Sequence, residues 1–251
     1  MIEESKDLER LVEICHSNIR SSKDCLKYLV KQRGLSKQSI INNKLGFFPQ
    51  NIDILIKYVS EEKLNKLNIL NYARRSDFSD YFYLIFPIFS EYGEVIGISG
   101  RTLMGDSERA VLRIPKYKNS SYKKANMLYG LNEAKNSCID NSNVYVVEGY
   151  FDQIAMSQNG LSNSVAICGT AFSQNHFLKL ARYTDKITFI LDSDEAGQKS
   201  AERIYSKFIN KGIKLRFLKV PDGNKDVDEY FRSHSQKEFF QDFKQIIPDI
   251  W

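Results

Sequence analysis

The sequence predicts an α/β protein: a parallel sheet flanked by helices, preceded by a mixed α+β basic subdomain. Three observations carry that prediction. Past residue 143, four short apolar runs at 144–147, 165–168, 187–191 and 215–220 alternate with single helical stretches. That is the pattern of right-handed βαβ units whose sheet is covered on both faces. Earlier, two runs rich in β-branched and aromatic residues, 81–90 and 94–103, flank the turn-forming Glu91-Tyr92-Gly93, as in an antiparallel hairpin. Charge is also uneven: residues 1–140 carry 22 basic and 17 acidic groups, whereas 141–251 carry 14 of each.

In chain order, Leu8, Leu11, Val12 and Cys15 recur at helical spacing, as do Cys25, Tyr28 and Leu29 before a stop at Gly34. Ser36 is placed to cap a short helix through Ile41, and Ile52, Leu55, Ile56 and Val59 mark another. The hairpin follows, and 111–117 adds a candidate strand. Helices are expected over 151–158, around 174–183, and over a stretch where Ala201, Ile204, Tyr205, Phe208 and Ile209 share one face. The run 215–220 alternates, which predicts a sheet edge. These elements group as a helical and mixed α+β basic part at 1–140, a sheet domain at 141–230 and a short helical tail at 231–251.

Composition narrows the class. Of 251 residues, 42% are hydrophobic and 27% charged, values of an ordinary globular protein. The apolar run 81–89 is far shorter than the roughly 20 residues that cross a bilayer, and the acidic, polar start resembles no signal peptide. A cytoplasmic protein without a membrane partner is expected. Cys15, Cys25, Cys138 and Cys168 are scattered, as are His16, His176 and His234, so no zinc site is expected. The formal net charge is +5, and within the basic part the stretch 101–124 sets seven basic residues against Asp106 and Glu108. A polyanion footprint has this character, although a solvated charged face has it too.

The acidic residues of the second half cluster at strand ends. Glu148 follows the first apolar run, Asp192 and Asp194 follow the third, and Asp226 and Asp228 come after the fourth. In a parallel sheet all strand C-termini lie along one edge, where open α/β folds bind their ligands. Glu148 and the Asp192/Asp194 pair are therefore expected to meet. Carboxylates gathered in one crevice must take up protons or share cations. Mg2+ (or Mn2+) suits such hard oxygen ligands, and two or more ions can act together on phosphates. Singly, each acid also has a structural role open to it: Asp194 as a helix cap, Glu148 as a solvated loop carboxylate, Asp226 and Asp228 as first-turn residues of a helix near Val227.

The runs Val147-Glu148-Gly149-Tyr150-Phe151-Asp152, Cys168-Gly169-Thr170-Ala171, Leu191-Asp192-Ser193-Asp194-Glu195-Ala196-Gly197 and Lys225-Asp226-Val227-Asp228-Glu229 resemble the TOPRIM domain of bacterial-type, DnaG-like DNA primases. Upstream, Arg33-Gly34-Leu35-Ser36, Phe86-Pro87-Ile88, Gly97-Ile98-Ser99-Gly100-Arg101, Pro115-Lys116-Tyr117-Lys118-Asn119-Ser120 and Leu128-Tyr129-Gly130-Leu131 are similar to the rest of the primase core, in the same order. About residues 20–230 are covered. By this resemblance Glu148, Asp192, Asp194, Asp226 and Asp228 match metal-binding positions, with Asp152 close behind as a supporting acid. Arg101, Lys116 and Lys124 match basic positions that handle template or nucleotide. Gly169 and Thr170 sit at a strand end where small residues let backbone amides approach a phosphate.

The resemblance implies a DNA-templated RNA polymerase that makes short primers from ribonucleoside triphosphates on single-stranded DNA, with Glu148, Asp192 and Asp194 at the chemical centre. Glu148 is open to two roles, proton transfer or metal binding. A TOPRIM nuclease and a non-catalytic nucleic-acid-binding module of a replication complex are the alternatives. The chain departs from the family in three places. No zinc ribbon is visible, and only a short tail follows Asp228 where the family has a helical domain for the replicative helicase, a candidate partner. Tyr81, Phe82 and Tyr83 stand where a basic side chain often precedes Phe-Pro-Ile.

Overall fold

A computed structural model describes residues 2–71 and 73–246, and side chains from residue 6 onward. The chain divides into two compact units, residues 1–122 and 123–251. The stretch 123–140, grouped with the basic part on sequence, packs in the second unit, because Leu128, Leu131, Ala134 and Cys138 belong to that unit's core.

In the first unit, α1 (Ile2–Asn18) buries Leu8, Leu11, Val12 and Cys15 along one stripe, as their spacing predicts. Short helices follow: α2 (Lys23–Lys27), continued by a wide turn over Tyr28–Gln32, and α3 (Lys37–Asn42), whose cap Ser36 accepts the Ser39 N–H. Then come β1 (Gly46–Phe47), α4 (Asp53–Ile56), α5 (Glu61–Lys66) and α6 (Asp77–Asp80). The expected hairpin is β2 (Leu84–Phe89) and β3 (Val95–Arg101), antiparallel with Phe86 opposite Ser99. Of the expected strand at 111–117, Val111 and Leu112 instead end helix α7 (Asp106–Leu112), 113–116 are irregular, and only β4 (Tyr117–Asn119) is extended. Ser107-Glu108-Arg109-Ala110 favours helix over strand, and Pro115 has no N–H to give a ladder. The four strands form one sheet in the order β1-β2-β3-β4.

In the second unit, α8 (Leu131–Asp140), β5 (Val144–Val147), α9 (Tyr150–Gln158), β6 (Ser164–Ala166), α10 (Gln174–Leu180), β7 (Lys186–Ile190), α11 (Glu195–Phe208) and β8 (Lys214–Lys219) realise the predicted alternation. They are followed by α12 (Val227–Phe231), α13 (Gln236–Asp242) and β9 (Lys244–Ile246). The sheet order is β6-β5-β7-β8-β9, parallel except that β9 runs antiparallel to β8. β8 is thus an interior strand, not the edge its alternation suggested. The covering strand Lys-Gln-Ile is too short and polar to announce itself. The tail expected to be helical contributes a strand as well, and its last residues, 247–251, lie outside the described residues. No helix among the described residues is long and apolar enough to cross a membrane.

Candidate functional site

The C-terminal ends of β5 and β7 are adjacent because these strands pair in parallel, Val146 opposite Phe189. Glu148 emerges one residue past β5, and its Oε1 accepts the Asp192 N–H at 3.0 Å. Two further ties close the crevice. The Ser193 N–H donates to the Lys225 carbonyl at 3.1 Å, binding the loop after β7 to the loop after β8. Asp152, buried on α9, accepts the Gly149 N–H through Oδ2 at 2.9 Å and the Asp228 N–H through Oδ1 at 3.0 Å. Hydrogen bonds thereby hold three segments far apart in sequence at one sheet edge.

Crowding shows in the proton affinities. Burial, then the charges of Glu148 and Asp226, push Asp192 up to about 7, with Lys225 opposing. Burial raises Glu148, helped by Asp194 and countered by the Asp192 amide and Lys225. Burial and Asp226 lift Asp152 well above the usual Asp range. Burial is the first cause of each rise, and the neighbouring carboxylates add to it because like charges in one crevice raise one another's pKa values.

Not every acid faces the crevice alike. Asp194 caps α11, its Oδ1 accepting the Gly197 N–H at 2.9 Å, and Asp226 caps α12, its Oδ1 accepting the Glu229 N–H at 2.8 Å. The capping role open to Asp194 on sequence is thus realised, and Asp226, expected in the first turn of α12, is its cap instead. The Asp228 carboxylate is buried at 1% exposure and ion-paired with Arg232 one turn on. Gly197 has a reason to be glycine: a Cβ there would sit 2.1 Å from the Asp192 carbonyl oxygen. Helix α11 can start beside Asp192 only without a side chain at that position.

Among the described residues, no three Asp, Glu, His or Cys side chains close into a metal cage as they stand. Glu148, Asp194 and Asp226 each spend an oxygen on a backbone N–H, and Asp228 spends one on Arg232. The donor chemistry nevertheless fits a hard divalent cation. The donors are all carboxylate oxygens, burial and neighbouring charges raise the pKa values of Glu148 and Asp192, and a cation would offset both effects.

Near this edge, the loop after β6 places Cys168 and Gly169 at φ +49° and +75°. The ideal Cβ position of Gly169 lies 4.0 Å from the Lys124 Nζ, so this ammonium stands beside the loop. Thr170 is less available than its motif suggested, since its N–H and its Oγ1 both donate to the Ile167 carbonyl, at 3.3 and 2.7 Å.

In the first unit, Arg101 is 7% exposed. Its guanidinium lies 5.0 Å from the Tyr117 ring centroid and 5.4 Å from that of Tyr28, and Nη1 donates to the Tyr117 hydroxyl at 2.6 Å. Arg33 stacks on Tyr28 at 5.3 Å and donates to its hydroxyl through Nε at 2.9 Å. Lys116 is exposed. Tyr28, Arg33 and Tyr117 were missed as site residues, although Arg33 and Tyr117 lie in the motif blocks. Their signal is tertiary, because only folding brings Tyr28 under Arg101. Lys225 was also missed as the cation that tempers the carboxylates.

A five-stranded, mostly parallel sheet with carboxylates at the ends of β5, β7 and β8 defines a Toprim-like domain, and residues 145–231 match the family of that description. Residues 14–135 match the N-terminal domain of the DNA primase catalytic core. The DNA primase of Synechococcus elongatus is 34% identical over 233 residues, which cover 85% of this chain and 32% of that protein. A crystallised DNA primase domain from Pseudomonas aeruginosa superposes with a TM-score of 0.79 at 31% identity, covering 95% of this chain and 78% of that one. A DnaG primase catalytic domain bound to ssDNA gives a TM-score of 0.76 at 28% identity, covering 95% and 79%. The chain belongs to the family of DnaG-type primase catalytic cores. It spans about a third of the length of the curated primases it matches, between 32% and 38% for the first three.

Proposed function

We propose that this chain is the RNA-polymerising core of a DNA primase, joining ribonucleoside triphosphates into short primers on single-stranded DNA in the cytoplasm of its cell or host. The observation that carries the proposal is the hydrogen-bonded convergence of Glu148, Asp192 and the 225–228 segment, with Asp192 raised to about 7 by burial and its acidic neighbours. Family membership directs that acidic edge to nucleotidyl transfer, and the primase domain described as bound to ssDNA supports a DNA template.

Glu148, Asp192, Asp194 and Asp226 would hold Mg2+ or Mn2+, two or more ions in all, whereas Asp228, paired with Arg232, would act from behind them. Bound there, the ions would neutralise triphosphate charge and favour in-line displacement. The chain's own residues do the rest. Asp152 fixes Gly149 and Asp228 by accepting both amides, so the Glu148 and Asp226 segments keep their spacing. Glu148, raised above the ordinary Glu range, can hold a proton as the primer 3′-hydroxyl attacks the α-phosphate and pyrophosphate leaves. Lys124 beside Gly169 offers a positive charge to a phosphate. In the first unit, Arg101, held between two tyrosine faces, and exposed Lys116 bind the template chiefly through its phosphates, which makes binding salt-sensitive.

The test is incubation with single-stranded DNA, labelled ribonucleotides and Mg2+. Template-dependent oligoribonucleotides are expected. A shortened template instead of a new product would assign a nuclease, and salt-dependent binding with neither product would assign a binding module.

A further inference from the structure

On the first unit, α1, α2 and α3 together with the turn at 28–32 enclose a groove of about 510 Å³. That volume is within the roughly 300–1,000 Å³ typical of ligand clefts. Five of its lining residues are aliphatic, Ile19, Leu26, Val30, Ile40 and Ile41, and His16, Ser17, Arg20 and Lys37 complete it. Val30 is 44% and Ile41 41% exposed. Two β-branched side chains this open to water beside a groove are a cost to the isolated chain that a partner would remove.

The charge around the groove is one-sided. Residues 19–44 hold seven Lys and Arg against Asp24 alone, a net +6 in a chain whose total is +5. Arg20 and Lys37, both exposed, line the groove themselves. Nucleic acid would answer the charge but not the lining. Bases bind by stacking on aromatic rings; no Phe, Tyr or Trp lines the groove, and the imidazole that does, His16, is tied through Nδ1 to the Leu45 carbonyl at 2.8 Å. Aliphatic walls with cations beside them match an amphipathic helix that is aliphatic on one face and acidic on its flanks.

We propose that this groove docks an acidic amphipathic helix of a partner protein, its aliphatic residues seated between Val30 and Ile41 and its carboxylates paired with Arg20 and Lys37. The site shares no residue with the carboxylate edge and does not depend on the chemistry proposed for it.

The probe is a panel of fluorescein-labelled, glutamate-rich helical peptides of about 14 residues with leucine pairs at i,i+3, i,i+4 or i,i+7, titrated into the whole chain with anisotropy as readout. Saturable binding by at least one peptide is expected, with methyl NMR shifts centred on Val30 and Ile41. Val30→Ser combined with Ile41→Ser should weaken binding about tenfold, Lys37→Glu about fivefold, and leucine-to-serine peptides should lose it. The replaced side chains are exposed, so unchanged melting temperatures should accompany these losses. Three results would each overturn the proposal: no saturable binding across the panel, equal affinity in the Val30/Ile41 double variant, or displacement by oligo-dT, which would make the groove a nucleic-acid surface.

Discussion

The two units handle charge in opposite ways. In the first, the key cation is settled: Arg101 is buried, stacked between Tyr28 and Tyr117, and hydrogen-bonded to the latter. In the second, the key anions are unsettled: burial and acidic neighbours raise Glu148, Asp192 and Asp152 in pKa, with Lys225 opposing at Glu148 and Asp192 and backbone amides opposing at Glu148 and Asp152. The contrast teaches that one unit presents a preorganised, permanently charged group, whereas the other stores repulsion that a bound cation can release. Arginine suits the first task because it stays charged and stacks well. Carboxylates suit the second because their charge can be shared or protonated.

The largest effect expected to sharpen the contrast is on catalysis. Asp192→Asn should cut primer synthesis by on the order of 10²–10³-fold while circular dichroism shows an intact fold. Full activity would break the assignment of the acidic edge. Next is Gly197→Ala, whose methyl meets the Asp192 carbonyl oxygen. It should destabilise by about 3 kcal/mol, read by urea unfolding.

A third prediction reverses the usual direction of a mutation. A carboxylate whose pKa is raised in the folded state keeps a proton there that the unfolded chain has released. Metal-free stability should therefore decline as pH rises from about 4 through about 7, the value to which Asp192 is pushed. At pH 8, Asp192→Asn should stabilise the metal-free protein by about 2 kcal/mol, a figure discounted by roughly half for solvent screening. Thermal melts at pH 5 and 8, with and without Mg2+, measure it, and an equal effect at both pH values would count against stored repulsion.

In the first unit, Arg101→Lys keeps the charge but loses the planar stacking. Affinity for single-stranded DNA should fall about tenfold, roughly 1.4 kcal/mol, in a filter-binding titration. The smallest effect separates capping from charge at Asp194. Asp194→Ala should lose about 1 kcal/mol of stability, and Asp194→Ser should regain it by restoring the cap without restoring activity.

The sequence made much of this legible, for physical reasons. Val144–Val147 and Lys186–Ile190 announce buried parallel strands, and parallel strands leave no choice about which edge their ends share. Glu148 and Asp192 could therefore be placed together before any coordinates. Less legible was what the acids do with their second oxygens. Asp194 and Asp226 as caps, and Asp228 against Arg232, depend on side-chain directions that sequence spacing does not set. The strand misplaced at 111–117 shows a local limit: Val111 and Leu112 suggest burial, yet they are exposed on α7.

By itself, then, the sequence determined the alternation of strand and helix, the family motifs and the sheet edge where the acids collect, because these follow from short-range periodicity and from the geometry common to all parallel sheets. Tertiary structure alone decided that β9 would cover β8, that Asp152 would clasp both Gly149 and Asp228, and that Tyr28 and Tyr117 would close over Arg101. Those outcomes rest on contacts between residues far apart along the chain, and only packing selects among the partners each residue could have had.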